Sequence, residues 1–377
     1  MRNSGSDVGG RVGILTFLAG GGEMGARTVR GRRCGLTTSV AGVLTAVAVL
    51  CGPVIASGAQ AQGSIGGSSA SLPVMRVAGV DAIGTAIATS EGSFPVIYGP
   101  ANAVVLARSD YFSDALAGGP LAALINGPLL ITPAAALSAT LDPRVLAEIQ
   151  RVIPAGRGFV LILGGPLALS PSIDGTLFGL GYTVIRVSGP NQFATAVAIA
   201  GVIGEFMLGP VPTIFEATGL DFADALSAVP ATIRAHGAIL LTNGAKQSKE
   251  TAAYLAAHPT VTRFAIGGPL AAAGADPSAT PVYGDDLWGT SAAVARAFFP
   301  EATTFGASTG LNFPDALAGG PVLRQFGPML LVGPHAPLPA PIASYLGTQA
   351  NDIQGYLFGG PLAVDDDVLA ALEAALG

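Results

Sequence analysis

Three aspartates, Asp114, Asp224 and Asp315, occupy the same setting: each stands in Phe-x-Asp-Ala-Leu, with a proline six residues further on at Pro120, Pro230 and Pro321. A carboxylate between a strand and a helix stands where crevices of open α/β sheets form. There it either stabilises the positive end of the helix or touches a ligand or metal. No acid, base or nucleophile recurs beside it, and a lone acid is poor hydrolytic machinery.

A second set is backbone chemistry. Gly164-Gly165, Gly267-Gly268 and Gly359-Gly360 each end an apolar run and open Gly-Gly-Pro-Leu-Ala. Such pairs either turn the chain tightly or offer N–H groups to an anion. None matches the glycine spacings of nucleotide loops. Arg76, Arg186 and Arg108 are the anion-contact candidates, since in an acidic protein a guanidinium either pairs internally or serves a ligand. Asp81, Asn191 and Asp286 follow the glycine that closes each opening strand, and Tyr283 stands where the first two copies carry Arg76 and Arg186. His236, His258 and His335 fall at unrelated positions with no second ligand at metal spacing, so no metal or other cofactor is expected. Asp365-Asp366-Asp367 reads as an acidic helix start or a cation site.

These residues are positioned by elements that recur in one order. A strand ending in glycine leads to a threonine six residues later (Gly79 and Thr85, Gly189 and Thr195, Gly284 and Thr290). The Phe-x-Asp-Ala-Leu motif follows, then a strand after glycine (127–132, 237–242, 327–332), then the Gly-Gly strand. Repeats at 74–181, 182–279 and 280–377 result, each of domain size. Continuously apolar strands alternate with helical stretches such as 141–152 and 195–206, which implies mostly parallel sheets covered on both faces. Ser170-Pro171 marks a helix start.

The threefold Phe-x-Asp-Ala-Leu, the Gly-Gly strand end and the Arg-x-x-Gly opening resemble the cell wall-binding repeat type 2 family over about residues 74–377. The resemblance implies an α/β fold class of three tandem Toprim-like or flavodoxin-like modules, packed as an intramolecular pseudo-trimer. It also implies a Gram-positive surface protein that binds an anionic wall polymer non-covalently. The candidate contacts are then Arg76, Asp81, Arg108, Asp114, Gly164, Gly165, Arg186, Asn191, Asp224, Gly267, Gly268, Tyr283, Asp286, Asp315, Gly359 and Gly360. The openings Asp81-Ala82-Ile83, Asn191-Gln192-Phe193 and Asp286-Leu287-Trp288 depart from the family's charged-aromatic pair, so unequal sites are expected.

Composition bears on the same reading. Half the residues are hydrophobic and only 11% are charged, so modules strung out as beads would expose large apolar patches. Packing around an approximate threefold axis, with grooves between neighbours, is expected instead. Residues 1–59 carry six arginines against two acids, which leaves 12 basic and 22 acidic residues for the rest. An acidic body without a lysine-rich run excludes nucleic acid as the main partner.

Arg27 to Ala61 reads as a secretory signal: a basic stretch, an apolar run over 36–56, and small residues spaced for cleavage after Ala59 or Ala61. Residues 62–73 form a Gly/Ser-rich linker. Both cysteines, Cys34 and Cys51, fall in the segment to be removed, so thiol chemistry is not expected of the mature protein. The partner is then a wall polymer, either an anionic secondary polymer or a glycan, with no membrane contact after cleavage. A secreted hydrolase or transferase with a pocket between modules is the competing reading; it needs a residue set unique to one copy, and none stands out.

Overall fold

The computed structural model describes residues 14–16, 73–95, 100–136, 138–154, 156, 158–349 and 353–376. Except for one short strand, β1 (Ile14–Thr16), the expected leader, its two cysteines and the Gly/Ser linker at 62–71 lie outside the described residues. Among the described residues no helix is long and apolar enough to cross a membrane.

The apolar runs form three sheets in which every pairing is parallel. The opening strand of the first repeat is β2 (Met75–Val77). The first sheet contains β3 (Ala103–Arg108), β4 (Leu129–Thr132), β5 (Phe159–Leu163) and β6 (Thr183–Ser188) in the order β6-β5-β3-β4, with β1 beside β6. The second contains β7 (Thr213–Thr218), β8 (Gly237–Thr242), β9 (Thr262–Ile266) and β10 (Thr280–Val282), ordered β10-β9-β7-β8. The third contains β11 (Thr304–Thr309), β12 (Met329–Val332) and β13 (Gln354–Phe358), ordered β2-β13-β11-β12. Their central strands are buried on both faces, which is why they read as unbroken apolar runs.

Sequence repeat and sheet are out of step by one strand. β6 and β10 open the second and third repeats but pair into the sheets of the first and second. β2 opens the first repeat and completes the third sheet, with Met75 opposite Tyr356 and Val77 opposite Phe358. The following helices cross over: α1 (Ala82–Ser93) packs on β4, while the later repeats supply, with labels in chain order, α5 (Gln192–Phe206) on β8 and α9 (Leu287–Phe298) on β12. Each repeat therefore ties two modules together, and the first closes the ring with the last.

The crossover explains the constant glycine-threonine spacing. The N–H groups of Gly79, Gly189 and Gly284 donate to the hydroxyls of Thr85, Thr195 and Thr290 at 3.2, 3.0 and 3.2 Å. A Cβ on these glycines would lie 2.1, 2.4 and 2.3 Å from atoms of the helix. Asp81, Asn191 and Asp286 cap those helices by accepting from the N–H of Gly84, Ala194 and Gly289.

At the centre, α2 (Ser113–Leu124), α6 (Ala223–Arg234) and α10 (Pro314–Leu323) pack on one another. Phe112, Phe222 and Phe313, one before each helix, form a triangle of rings with centroids 5.9, 5.8 and 5.6 Å apart. The expected pseudo-threefold packing is thus present, and the repeated Phe-x-Asp-Ala-Leu helices form its axis. Beyond the rings the symmetry breaks, because Gly119, Val229 and Gly320 are equivalent positions. A Cβ on Gly119 or Gly320 would stand 2.7 or 2.8 Å from Val229 Cγ1, so one valine fills what two glycines vacate. Gly119→Val is expected to lower stability by about 1–3 kcal/mol through overpacking. Adding Val229→Gly should restore part of the loss in a denaturant-based double-mutant cycle; simple additivity would contradict the contact.

The outer layer comprises α3 (Pro143–Val152), α4 (Pro171–Gly179), α7 (Lys249–Ala257), α8 (Ala272–Ala275), α11 (Ala340–Leu346) and α12 (Asp366–Ala374). In the second module α8 has four residues, where its counterparts α4 and α12 have nine each.

Candidate functional site

Because the three rings meet just before the N-terminal ends of α2, α6 and α10, these helices run in the same sense. The carboxyl ends of all three sheets therefore share one face. On it each Phe-x-Asp-Ala-Leu start lies beside a Gly-Gly turn of its own module and the opening loop of the next repeat.

The first groove, a cavity of 390 Å3, is lined by Arg108, Tyr111, Asp114, Gly165, Leu167, Asn191 and Thr195 among others. The second, 690 Å3, repeats this with Asp224, Gly268, Leu270, Tyr283, Asp286 and Thr290. Equivalent residues meet at the third junction. Asp315 lies near enough to Thr85 for the hydroxyl to favour its ionised form, and a Cβ on Gly360 would lie 4.0 Å from the carbonyl oxygen of Gly79.

Each aspartate lies in the first turn of its helix, while the cap position is the phenylalanine before it, with no side-chain capping bond. The carboxylates press against the Gly-Gly turns. A Cβ on Gly164, Gly267 or Gly359 would come within 2.5, 2.2 or 3.1 Å of Oδ2 of Asp114, Asp224 or Asp315, and these glycines have φ of +91°, +107° and +116°. Both facts restrict the position to glycine. Burial pushes Asp114 up to about 6, partly opposed by the positive charge of Arg108. Burial, then the charge of Asp221, takes Asp224 to about 6. Asp315 is also raised by burial, with the nearby Thr85 hydroxyl opposing.

The N–H groups of Gly164, Gly267 and Gly359 are occupied by the opening strand of the next repeat, donating to Val187, Val282 and Val77 carbonyls at 2.9, 3.2 and 3.0 Å. Only the second glycines, Gly165, Gly268 and Gly360, stand at the groove surface.

The arginines divide by partner. Arg186 is buried, forms a bidentate pair with Asp174, and donates to the carbonyls of Gly164 and Gly165. Arg76 donates to the carbonyls of Gly359, Val364 and Asp365 and to Asp366. Both guanidiniums thus hold Gly-Gly turns from behind. At the second turn Tyr283, 43% exposed, lies against Gly268 instead. Arg108 pairs with Asp110 at 2.6 and 2.7 Å and lies 5.7 Å from the Tyr111 ring centre. The Tyr111 hydroxyl bridges the groove to Gln192 at 3.2 Å. Of the opening residues, Asp81 also binds Arg144 at 3.0 Å, and Asn191 donates to Glu250 at 2.9 Å.

The face carries residues that the sequence reading passed over. Leu167, Leu270 and Leu362, the leucines of Gly-Gly-Pro-Leu-Ala, are 89%, 91% and 105% exposed. A leucine recurring in a loop motif was the available signal. Leu220 and Leu311 are exposed nearby, as is Tyr111. The second groove is acidic, with Asp221, Asp224, Asp285 and Asp286 and no basic lining residue, whereas the first carries Arg108 and Asp114. Such surfaces suit carbohydrate, whose hydroxyls donate to carboxylates and whose C–H faces lie on apolar side chains. Among the described residues no three His, Cys, Asp or Glu side chains are placed to hold a metal.

A family profile described as "Cell wall binding domain 2 (CWB2)" matches at residues 76–174, 186–273 and 282–369. N-acetylmuramoyl-L-alanine amidase LytC of Bacillus subtilis (strain 168) is 26% identical over 250 residues, 65% of this chain and 47% of that protein. The amidase enhancer of the same organism is 34% identical over 142 residues, 37% of this chain and 18% of its own length. Cwp6 and Cwp8 from Clostridium difficile superpose with TM-scores of 0.71 and 0.70, at 21% and 22% identity. Each superposition covers 81% of this chain, and 48% and 52% of the two neighbours. At that identity the likeness concerns the fold. The matched regions are about half or less of these relatives' own lengths.

Proposed function

Because this chain belongs to the cell wall binding domain 2 family, we propose that it is an exported, non-catalytic protein that holds to the wall through the face bearing the two grooves and the equivalent third junction. The observation that carries the placement is the threefold recurrence, on one face, of an exposed leucine near an aspartate, buried at Asp114 and half-buried at Asp224 and Asp315, that presses on a Gly-Gly turn. A repeating polymer is matched by repeating subsites, and weak contacts multiply when several engage one chain.

The polymer's charge is a finer part of the proposal. The first groove has Arg108 to meet an anionic group, although Asp110 already pairs with it. The second, with four carboxylates, fits neutral or amino-substituted sugar units better than phosphates. We therefore assign the face a glycan-rich wall polymer whose anionic groups, where present, lie near the first groove.

Sedimentation of the purified protein with isolated walls tests this. Leu270→Asp is expected to weaken binding about tenfold, since it replaces a residue worth about 1.5 kcal/mol on burial with a charge, and to leave the melting temperature unchanged. Undiminished binding in a variant carrying aspartate at Leu167, Leu270 and Leu362 together would remove the face from the proposal. Release of muramyl or peptide products by the protein would overturn its non-catalytic part.

A further inference from the structure

A cavity of 390 Å3 opens where the third sheet meets the C-terminal ends of α1, α2 and α10, opposite the groove-bearing end. Its walls include Met75, Val77, Phe94, Phe326, Tyr356 and Phe358. The repeats show why it is there. At the same place on the second sheet, Phe298 at the end of α9 packs on Phe215 and Phe264, with ring centroids 5.1 and 5.0 Å apart. Helices α1 and α9 both have 12 residues after an aspartate cap, so Ser93 takes the position of Phe298. Strand register likewise puts Gly306 in place of Phe215, and Tyr356 in place of Phe264.

Two rings of three are missing. The space left at Gly306 is refilled from inside, since a Cβ there would lie 2.7 Å from Leu323 and 2.9 Å from Phe358. The space left at Ser93 stays open. Ser93 turns its hydroxyl back to the Thr89 carbonyl at 2.7 Å, so it leaves no unmet polar group in the wall.

Arg324 lies at the cavity's edge with a left-handed backbone, φ 51°. Arg76, Arg108, Arg144, Arg151, Arg186 and Arg263 each pair with a carboxylate. Arg324 instead donates to the neutral side-chain oxygen of Asn126, and among the described residues no acid pairs with it. Burial lowers its pKa, the direction expected of a cation without a counter-charge.

We propose that this cavity binds a small amphipathic anion, an aryl-alkyl carboxylate whose ring takes the space Phe298 fills in the second module and whose carboxylate meets Arg324. The site is separate from the wall-binding face and does not rest on that reading.

Calorimetric titration of the purified protein with 4-phenylbutyrate and with 4-phenylbutanol tests it. The acid is expected to bind about tenfold more tightly than the alcohol, as a charge-assisted bond to guanidinium requires. Arg324→Gln should bring the two within about twofold, and Ser93→Phe should abolish binding of both. Equal affinities for acid and alcohol in the native protein, no binding of the acid at millimolar concentration, or undiminished binding in folded Ser93→Phe would each overturn the proposal. Should Ser93→Phe fail to fold, Arg324→Gln decides through the acid-alcohol difference alone.

Discussion

Replacing Arg186 with methionine is expected to destabilise the protein by about 3–5 kcal/mol, while molecules that remain folded keep their affinity for walls. The Arg186 side chain is 6% exposed and is the bidentate partner of Asp174, whose side chain is 11% exposed. Its remaining donors go to the carbonyls of Gly164 and Gly165. Methionine fills much the same volume but leaves a buried carboxylate without a counter-charge and takes the guanidinium donor from the Gly164 carbonyl, while the Gly165 carbonyl keeps the N–H groups of Ala168 and Leu169. Removing one partner of such a pair costs far more than the pair contributes net, because the survivor stays desolvated.

Arg76→Met should cost less, about 1–2 kcal/mol, since its acid partner Asp366 is 78% exposed and water can replace the lost bonds. Denaturant unfolding gives the order of the two variants. Wall sedimentation at low temperature, where both remain native, separates a structural role from a ligand contact: a loss of binding by folded Arg186→Met would return this arginine to the list of polymer contacts.

The residue types and the fold class were legible in the sequence because recurrence is a one-dimensional signal. Threefold Phe-x-Asp-Ala-Leu and Gly-Gly-Pro-Leu-Ala announce three modules, and apolar strands between helices announce parallel sheets. Strand destination was not legible. A three-residue strand such as β2 or β10 has the same local pattern whichever sheet receives it, and the choice is made by Gly79, Gly189 and Gly284, which let the chain pass tightly against the next helix. The partners of Arg76 and Arg186 were hidden for a related reason. Each binds atoms near a Gly-Gly turn, and for Arg76 the partners lie 283 to 290 residues away. That distance becomes contact only when the ring closes. The capping roles of Asp81 and Asp286 were local and in principle readable, since an aspartate three residues before a helical glycine is an ordinary N-terminal signal.

Stability is expected to fall as pH rises from 5 to 8, and Glu216 is the main cause above pH 6.5. This glutamate lies on β7, fully buried. Burial, reinforced by a hydrogen bond to Asp276 and that residue's negative charge, takes its pKa up to about 8, against an opposing bond from Gln247 and the charge of Arg263. Asp276 is held at about 2: burial opposes ionisation, but bonds from Ser278, Glu216 and Arg263 outweigh it. At neutral pH the protonated Glu216 therefore donates to an ionised Asp276, which in turn pairs with Arg263 at 3.1 Å.

A carboxyl whose folded pKa exceeds its unfolded value binds its proton more tightly in the native state. It contributes stability below the unfolded value, and that contribution is lost as pH rises through the folded one. For Asp114 and Asp224 the window runs from about 4 to about 6, and for Glu216 from about 4.5 to about 8. Asp276 acts oppositely, but only below about 4, outside the range tested. The combined loss between pH 5 and pH 8 is expected to be roughly 6 kcal/mol, more than half of it from Glu216, at about 1.4 kcal/mol for each pH unit over which one proton is retained only by the folded state. Glu216→Gln keeps the shape and an N–H donor toward Asp276 but cannot ionise. Urea midpoints for this variant should be nearly flat from pH 6.5 to 8, while the native protein continues to weaken. Parallel slopes for the two proteins over that interval would show that Glu216 is already ionised in the folded state at neutral pH, and the buried Glu216–Asp276 bond would then have to be abandoned.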